Sequence, residues 1–379
     1  MSDKTTANSL RWSEERPVAS AGTSDPAREW GARRVTILIY SGGEIMGDGL
    51  NKLGFLRAVR RAYPDAHITW FAGNGASVYA GKLAPAVAGL LDQVIESERG
   101  AESWRQVLRP RLANQTYDII LDTQLKVRAT TELKRMPHGL LVSGAAHGLL
   151  SERRAPGQPW RDARPVALAQ QLLQLLALAR YGYVDGPVDP SGTVDVPAAC
   201  DKLALDLLPR DTPCVALAPG AGGAGKRWPL ENFAALGTRL SDAGWGPVFV
   251  LGPDETWMHT ELAARVPGGL FPLQQASPRA LAYEPFLTMG IAAACRAAVA
   301  NDAGIGHILA VTGVPMVSLF GKTDAAKFAP NNPRLTVLRA QDFGASVVAG
   351  IPVDAVWAEI TGRIGLPFSP STRQHTGVG

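Results

Sequence analysis

Cysteine is scarce in this 379-residue sequence: Cys200, Cys214 and Cys295 are far apart, with no Cys-x-x-Cys pair and no neighbouring histidine. An odd set at these spacings excludes a disulfide-stapled scaffold and a cysteine zinc site, and it fits a reducing compartment. Long hydrophobic runs are missing as well. The richest apolar stretch, residues 166–179, is interrupted by Gln170, Gln171 and Gln174, so no segment is expected to span a membrane. No apolar run near the start resembles a secretion signal. Charge of one sign is also in short supply: 38 Lys and Arg stand against 34 Asp and Glu, and the resulting +4 excludes a basic nucleic-acid coat.

What remains is an ordinary globular composition. Hydrophobic residues make up 46% and charged residues 19% of the chain, which excludes a wholly disordered, collagen-like or coiled-coil protein. At about 100 to 200 residues per domain, the length corresponds to two domains. Charge is unevenly spread. Residues 99–165 hold twelve Lys and Arg against six Asp and Glu, a local +6 that exceeds the whole-chain excess. That region favours anions, either membrane phosphates or an anionic substrate, although basic side chains that only solubilise helix faces give the same pattern.

Apolar periodicity supplies the architecture. Residues 1–32 are rich in Ser, Thr, Ala and mixed charge and are expected to form a mobile leader. Residues 35–40 are a short β-branched run ending at Gly42 and Gly43, which reads as a buried strand. Leu50, Leu53, Leu56 and Val59 then recur at helical spacing, with Asp48 where an N-cap belongs and Pro64 as a stop. Strands are expected at 67–71 and 117–122, helices at 78–91 and 166–181, and a turn-rich boundary at 184–193. The alternation restarts with a strand at 214–218, a helix at 229–243 and a strand at 247–251. Strands at 297–300 and 315–320 and a helix at 353–364 follow. Strands separated by helices imply parallel sheets. The expected fold is α/β with two doubly wound parallel-sheet domains: a leader at 1–32, a first domain at 33–195, a second at 196–366 and a tail at 367–379. Ligands of such sheets sit at the carboxyl ends of strands, so the loops there are where chemistry belongs.

The most informative loop, Pro219-Gly-Ala-Gly-Gly-Ala-Gly-Lys-Arg-Trp-Pro229, lies between a strand and a helix. From Gly220 onward its glycines let backbone N–H groups approach phosphate oxygens, the coming helix offers its positive end, and Lys226 adds a full charge. Gly220 to Lys226 also has P-loop spacing. A P-loop needs a hydroxyl next to bind magnesium, and Arg227 stands there, so diphosphate binding without metal-dependent phosphoryl transfer is the better reading.

In a second loop, Asn301-Asp-Ala-Gly-Ile-Gly-His307, the Asp302 carboxylate and the His307 imidazole flank a first helical turn around Gly304. Both could bond sugar or phosphate oxygens, and capping and packing roles stay open. Asp48, between Gly47 and Gly49, occupies the matching edge of the first domain, where a general base would stand, though as a bare signal it more readily marks a turn. Glu255 follows a strand and could accept from ribose hydroxyls or simply start a helix. Gln124 and Lys126 follow the strand at 117–122 and could touch an acceptor or face solvent. No cluster of carboxylates or histidines makes a convincing metal site.

Taken together and in this order, three motifs resemble glycosyltransferase family 9, which includes the lipopolysaccharide heptosyltransferases. They are Gly47-Asp48, the loop ending Lys226-Arg-Trp-Pro229, and Asn301-Asp-x-Gly-x-x-His307 followed by Pro315-Met-Val-Ser-Leu-Phe-Gly321. The resemblance runs from about residue 35 to residue 364. It implies a GT-B architecture, two Rossmann-like domains facing across a cleft that holds the active site. It also implies an ADP-activated heptose on the second domain, an anionic lipopolysaccharide-core or other glycolipid acceptor on the first, inversion at the anomeric carbon, and no cofactor beyond the ADP-sugar donor. Work in the cytoplasm, at the inner face of the inner membrane, would follow, with no nucleic-acid partner.

Carried onto this sequence, the resemblance makes Asp48 the catalytic base, Gly220 and Lys226 the phosphate cradle, and Glu255 the ribose contact. Asp302, Gly304 and His307 become the donor-sugar and diphosphate loop. The chain differs from the family pattern at Glu44, where a basic residue usually precedes Gly-Asp, at Asn51 and Lys52, at Ala303 in place of Ser or Thr, and by an apparent insertion at 274–288. These departures leave a catalytically silent sugar-nucleotide-binding module as an alternative, and the glycine loop leaves a P-loop-type NTPase.

Overall fold

The computed structural model describes residues 34–98, 104–153, 167–180, 194–276 and 284–364. The expected leader, the 184–193 boundary, the tail and the middle of the 274–288 insertion lie outside the described residues.

The first sheet has five parallel strands, β1 (Thr36–Ser41), β2 (His67–Ala72), β3 (Gln93–Glu96), β4 (Tyr117–Asp122) and β5 (His138–Ser143), in the order β3-β2-β1-β4-β5. Central strands β1 and β4 are covered on both faces, which is why their centres are apolar; Asp118, buried in β4, is satisfied by the Thr36 N–H at 2.8 Å and the Thr36 hydroxyl at 3.0 Å. The second sheet, also parallel, contains β6 (Cys214–Ala218), β7 (Gly246–Phe249), β8 (Ala297–Asn301), β9 (Met316–Phe320) and β10 (Leu335–Arg339), in the order β10-β9-β8-β6-β7. The first order is that of Rossmann dinucleotide-binding folds. The second, counted within its own sheet, is that of flavodoxin-like folds.

Both sheets are doubly wound, and each reverses direction once, between β1 and β4 and between β6 and β8. A crevice opens at such a reversal because successive loops leave toward opposite faces. The segments after these four strands, loop and first helical turn together, carry Asp48, then Gln124 and Lys126, then the glycine loop, then Asp302 and His307. Strand order thus gathers the candidate loops in pairs.

Side-chain alternation separates the faces of the second sheet. Val215, Leu217, Val299 and Leu319 meet Trp228, Phe233 and Leu236 on one side, while Ala216, Ala218, Ala298 and Ala300 meet Leu287, Ile291 and Leu309 on the other. The small residues of the second face let helices Pro285–Ala294 and Gly304–Ala310 lie against the strands. All three cysteines are free and buried, and burial pushes the Cys214 thiol up to about 11.

Two local expectations differ from the structure. Helix α1 (Met46–Ala62) is preceded by Ile45 as its N-cap, so Asp48 lies in the first turn and not at the cap. A carboxylate there is still favoured by the positive helix end. The helix expected at 78–91 is a run of turns with one 3-10 segment, Ala84–Val87. Pro85 removes a backbone donor and Gly89 adopts φ +76°, so α-helical bonding cannot continue.

Candidate active site

Trp228 roots the glycine loop. Its indole is fully buried, its Nε1–H donates to the Ile351 carbonyl at 2.8 Å, and its backbone N–H donates to Asn301 Oδ1 at 3.0 Å. The Asn301 side-chain amide in turn donates to the Pro219 carbonyl at 2.9 Å, so one buried side chain ties both ends of the loop to β8. Lys226 and Arg227 therefore leave from a fixed base. Lys226 Nζ stands 2.8 Å from Asp302 Oδ2, with the lysine side chain 48% exposed and the aspartate 9%. The Arg227 guanidinium lies 5.6 Å from the centre of the Trp257 ring.

A cleft of about 610 Å³ opens beside this loop. Gly220 to Gly223 and Arg227 contribute to its wall with Asp254 and Glu255, while Leu273, Pro285 and Ile308 supply apolar surface and Met46 and Lys82 reach it from the first lobe. The Glu255 carboxylate sits between Gly220 and Gly252: a Cβ on either glycine would stand 2.7 Å from one of its oxygens. Burial raises the Glu255 carboxyl above its usual range, Asp254 adds to the rise, and backbone donors and Arg227 oppose it. Gly220, Glu255 and Gly304 line the cleft; Lys226, Asp302 and His307 adjoin its wall without lining it.

Helix α1 meets the second lobe at this point. A Cβ on Gly47 would stand 2.9 Å from His307 Cδ2 and 3.6 Å from Gly304 Cα, so the missing side chain is what permits the contact. Asp48 is exposed beside it. Burial holds the His307 imidazole below its ordinary range, although Asp302 and Asp48 both act to raise it. His307 Nδ1 is buried without a hydrogen-bond partner.

Near Asp48 lies a buried polar cluster that the sequence marks only as a departure from the family pattern. Glu44 and Lys52 are 6% and 5% exposed. Glu44 Oε1 accepts from Trp70 Nε1–H at 3.0 Å and from the Ser77 hydroxyl, while Oε2 has no partner. Lys52 Nζ donates to Ser41 Oγ at 2.8 Å and stands 5.4 Å from the Trp70 ring centre. Burial pulls the Lys52 ammonium below the usual lysine range, and Glu44 and then Asp48 oppose that pull. On the other side of the reversal point, Asp122 Oδ1 accepts the Gln124 backbone N–H at 2.9 Å. Neither Gln124 nor Lys126 lines the cleft.

A model of glycosyltransferase family 9 (heptosyltransferase) matches residues 105–349. The chain belongs to this family. As a family 9 glycosyltransferase it is 28% identical over 295 residues to lipopolysaccharide heptosyltransferase 1 of Pseudomonas aeruginosa, covering 74% of this chain and 77% of that one. It is 33% identical over 143 residues to lipopolysaccharide heptosyltransferase 2 of Escherichia coli strain K12, covering 37% and 39% of the two chains.

Among solved structures, a family 9 glycosyltransferase from Veillonella parvula superposes with a TM-score of 0.66 at 17% identity, over 87% of this chain and 97% of that one. Escherichia coli heptosyltransferase WaaC with ADP superposes with a TM-score of 0.61 at 19% identity, over 87% and 100%. These likenesses establish the GT-B fold that the strand order displays. Membership in the glycosyltransferase family sets aside the NTPase reading. The α-helix after the loop begins only at Leu230, well past the lysine where a P-loop helix would start.

Proposed function

We propose that this glycosyltransferase moves a heptose from ADP-heptose to an anionic acceptor of the lipopolysaccharide core, inverting the anomeric configuration. One observation carries the reading: the helical turn that bears Asp48 packs through Gly47 against His307 and Gly304, in the segment whose Asp302 pairs with Lys226 of the glycine-rich loop. Two further findings support it, since curated relatives are lipopolysaccharide heptosyltransferases and one solved neighbour holds ADP.

In this reading Glu255 takes the ribose hydroxyls, and the loop amides with Lys226 take the diphosphate. Phosphate then replaces Asp302 as the partner of Lys226, which frees Asp302, with Gly304 and His307, to orient the sugar. The acceptor oxygen attacks the anomeric carbon while the bond to the β-phosphate oxygen breaks. The hydroxyl proton passes to Asp48, and ADP leaves with negative charge that the loop stabilises. A single displacement inverts the centre. The loop's fixed positive groups fill the role that magnesium has in many transferases.

Gln124 and Lys126, at the paired loop of the first sheet, are assigned to the acceptor. The acceptor lobe is assigned to 33–195 and the donor lobe to 196–366; helix Leu168–Ala179 packs on β4 and β5, and helix Ala198–Leu207 packs on Pro285–Ala294. Among the described residues no helix is long and apolar enough to cross a membrane, and we assign the protein to the cytoplasmic face of the inner membrane as a peripheral enzyme.

Incubating purified protein with ADP-heptose and a deep-core acceptor tests the reading. Transfer is expected, and its absence with this and other sugar nucleotides refutes it. Asp48→Ala should slow transfer by about 10²- to 10⁴-fold while ADP affinity stays unchanged. Loss of both together would make the carboxylate structural.

A further inference from the structure

Two first-lobe residues line the cleft, Met46 and Lys82, and only Lys82 carries charge. The lysine is exposed, yet the turn that bears it is clamped to helix α1. Gly49, next to Asp48, has no room for a side chain: a Cβ there would stand 2.6 Å from Val78 Cγ2, 3.2 Å from Leu83 Cδ1 and 3.6 Å from Tyr79 Cε1. The buried Tyr79 hydroxyl donates to the Gly49 carbonyl at 2.6 Å. Burial, with Glu44 and Asp48 adding to it, holds that phenol well above its usual range, so it stays protonated as a donor. Leu83 is fully buried, and its N–H donates to the Val78 carbonyl at 2.8 Å. Lys82 thus projects between two anchored residues, from a turn fixed to the helical turn that presents Asp48. Gly220 to Gly223 and Arg227 contribute to the same cleft from the other lobe.

We infer that Lys82 is a cross-lobe substrate contact: its ammonium binds the β-phosphate of a nucleoside diphosphate sugar seated on the glycine loop, so that both lobes grip the leaving group. The inference rests on the donor reading above. The β-phosphate oxygen gains negative charge as the glycosidic bond breaks, and a cation brought by the acceptor lobe compensates that charge where the lobes meet. No other cation among the cleft-lining residues comes from this lobe, so Lys82 would link donor affinity to lobe contact.

Calorimetric titration of ADP and of AMP into the full-length wild type, Lys82→Ala and Lys82→Arg tests it. For Lys82→Ala, ADP affinity should fall about tenfold and AMP affinity should not change, because AMP has no β-phosphate; Lys82→Arg should recover most of the loss. In turnover, the same alanine variant should raise the KM for the sugar nucleotide and lower kcat. Equal ADP affinity in wild type and Lys82→Ala overturns the inference while leaving the donor reading intact. Equal loss for AMP and ADP overturns it, and so does a change confined to the acceptor KM. A wild type that binds no ADP overturns the donor reading itself. Since Lys82 is exposed, unchanged thermal unfolding of the variants serves as the folding control.

Discussion

Each lobe brings one pair of opposite charges to the site, and the two pairs differ in their access to water. Glu44 and Lys52, on the first lobe, are buried near Asp48. Lys226 and Asp302, on the second, stand at the cleft with the lysine half exposed. Charges taken out of water cannot part cheaply: without Lys52 the buried Glu44 carboxylate would keep only its neutral donors, Trp70 and Ser77. An ion pair with one solvated member can exchange partners at little cost. The first lobe therefore holds a preset platform for the proposed base, and the second holds a cation that an incoming phosphate can capture.

The sharpest way to break this comparison is Lys52→Met. It leaves the Glu44 carboxylate buried without the opposite charge that Lys52 supplies, and the expected cost is about 3 kcal/mol of stability by chemical denaturation. The double variant Glu44→Gln with Lys52→Met removes both charges and should recover most of that loss. If Lys52→Met alone costs under about 1 kcal/mol, the pair is not the platform described. Recovery in the double variant separates charge compensation from simple loss of packing, which both variants share.

Lys226→Ala should give the opposite profile. Its ion pair is half solvated, so stability should change by less than about 1 kcal/mol. Its proposed bond to the diphosphate is charge-assisted, and losing it should weaken ADP by about 1.5–3 kcal/mol, or roughly 10- to 150-fold. A variant that loses stability instead of nucleotide affinity would place Lys226 with Lys52 as a structural charge and erase the distinction between the lobes.

The same contrast explains what was legible in the sequence. Strands β1, β4, β6 and β8 are covered on both faces, so each has an apolar centre, broken only in β4 by the buried Asp118. Strands β3, β5 and β10 lie at sheet edges, where partial exposure mixes polar residues into the run and hides it. Candidate site residues in strand-end loops stand out because their local roles call for rare combinations, such as glycines followed by a cation or Asp48 between two glycines. Arg227 is visible only as the residue that spoils a P-loop. Lys82 has no local signal, since its position depends on Val78, Tyr79 and Leu83 packing against a glycine about 30 residues earlier. Glu44 and Lys52 look like isolated oddities until Trp70 and Ser77 show them to share one buried cluster.

The smallest expected effect concerns His307, which sits where the two lobes touch. Burial gives the native imidazole a lower proton affinity than it has in the unfolded chain, despite the opposing pull of Asp302 and Asp48. As pH falls below about 6.5, the unfolded chain therefore takes up a proton that the native state refuses, and stability declines. Above that pH the imidazole is neutral in both states and contributes no slope. The slope from this one group cannot exceed about 1.4 kcal/mol per pH unit. His307→Asn should flatten the wild-type profile in this window, read as the difference between the two denaturation curves so that other titrating groups cancel. Asp302→Asn should steepen it, because it removes the strongest influence that keeps the imidazole basic. If neither variant changes the profile, the ring is more open to water than its packing against Gly47 indicates, and the contact between the lobes is looser than the charge pairs on either side of it.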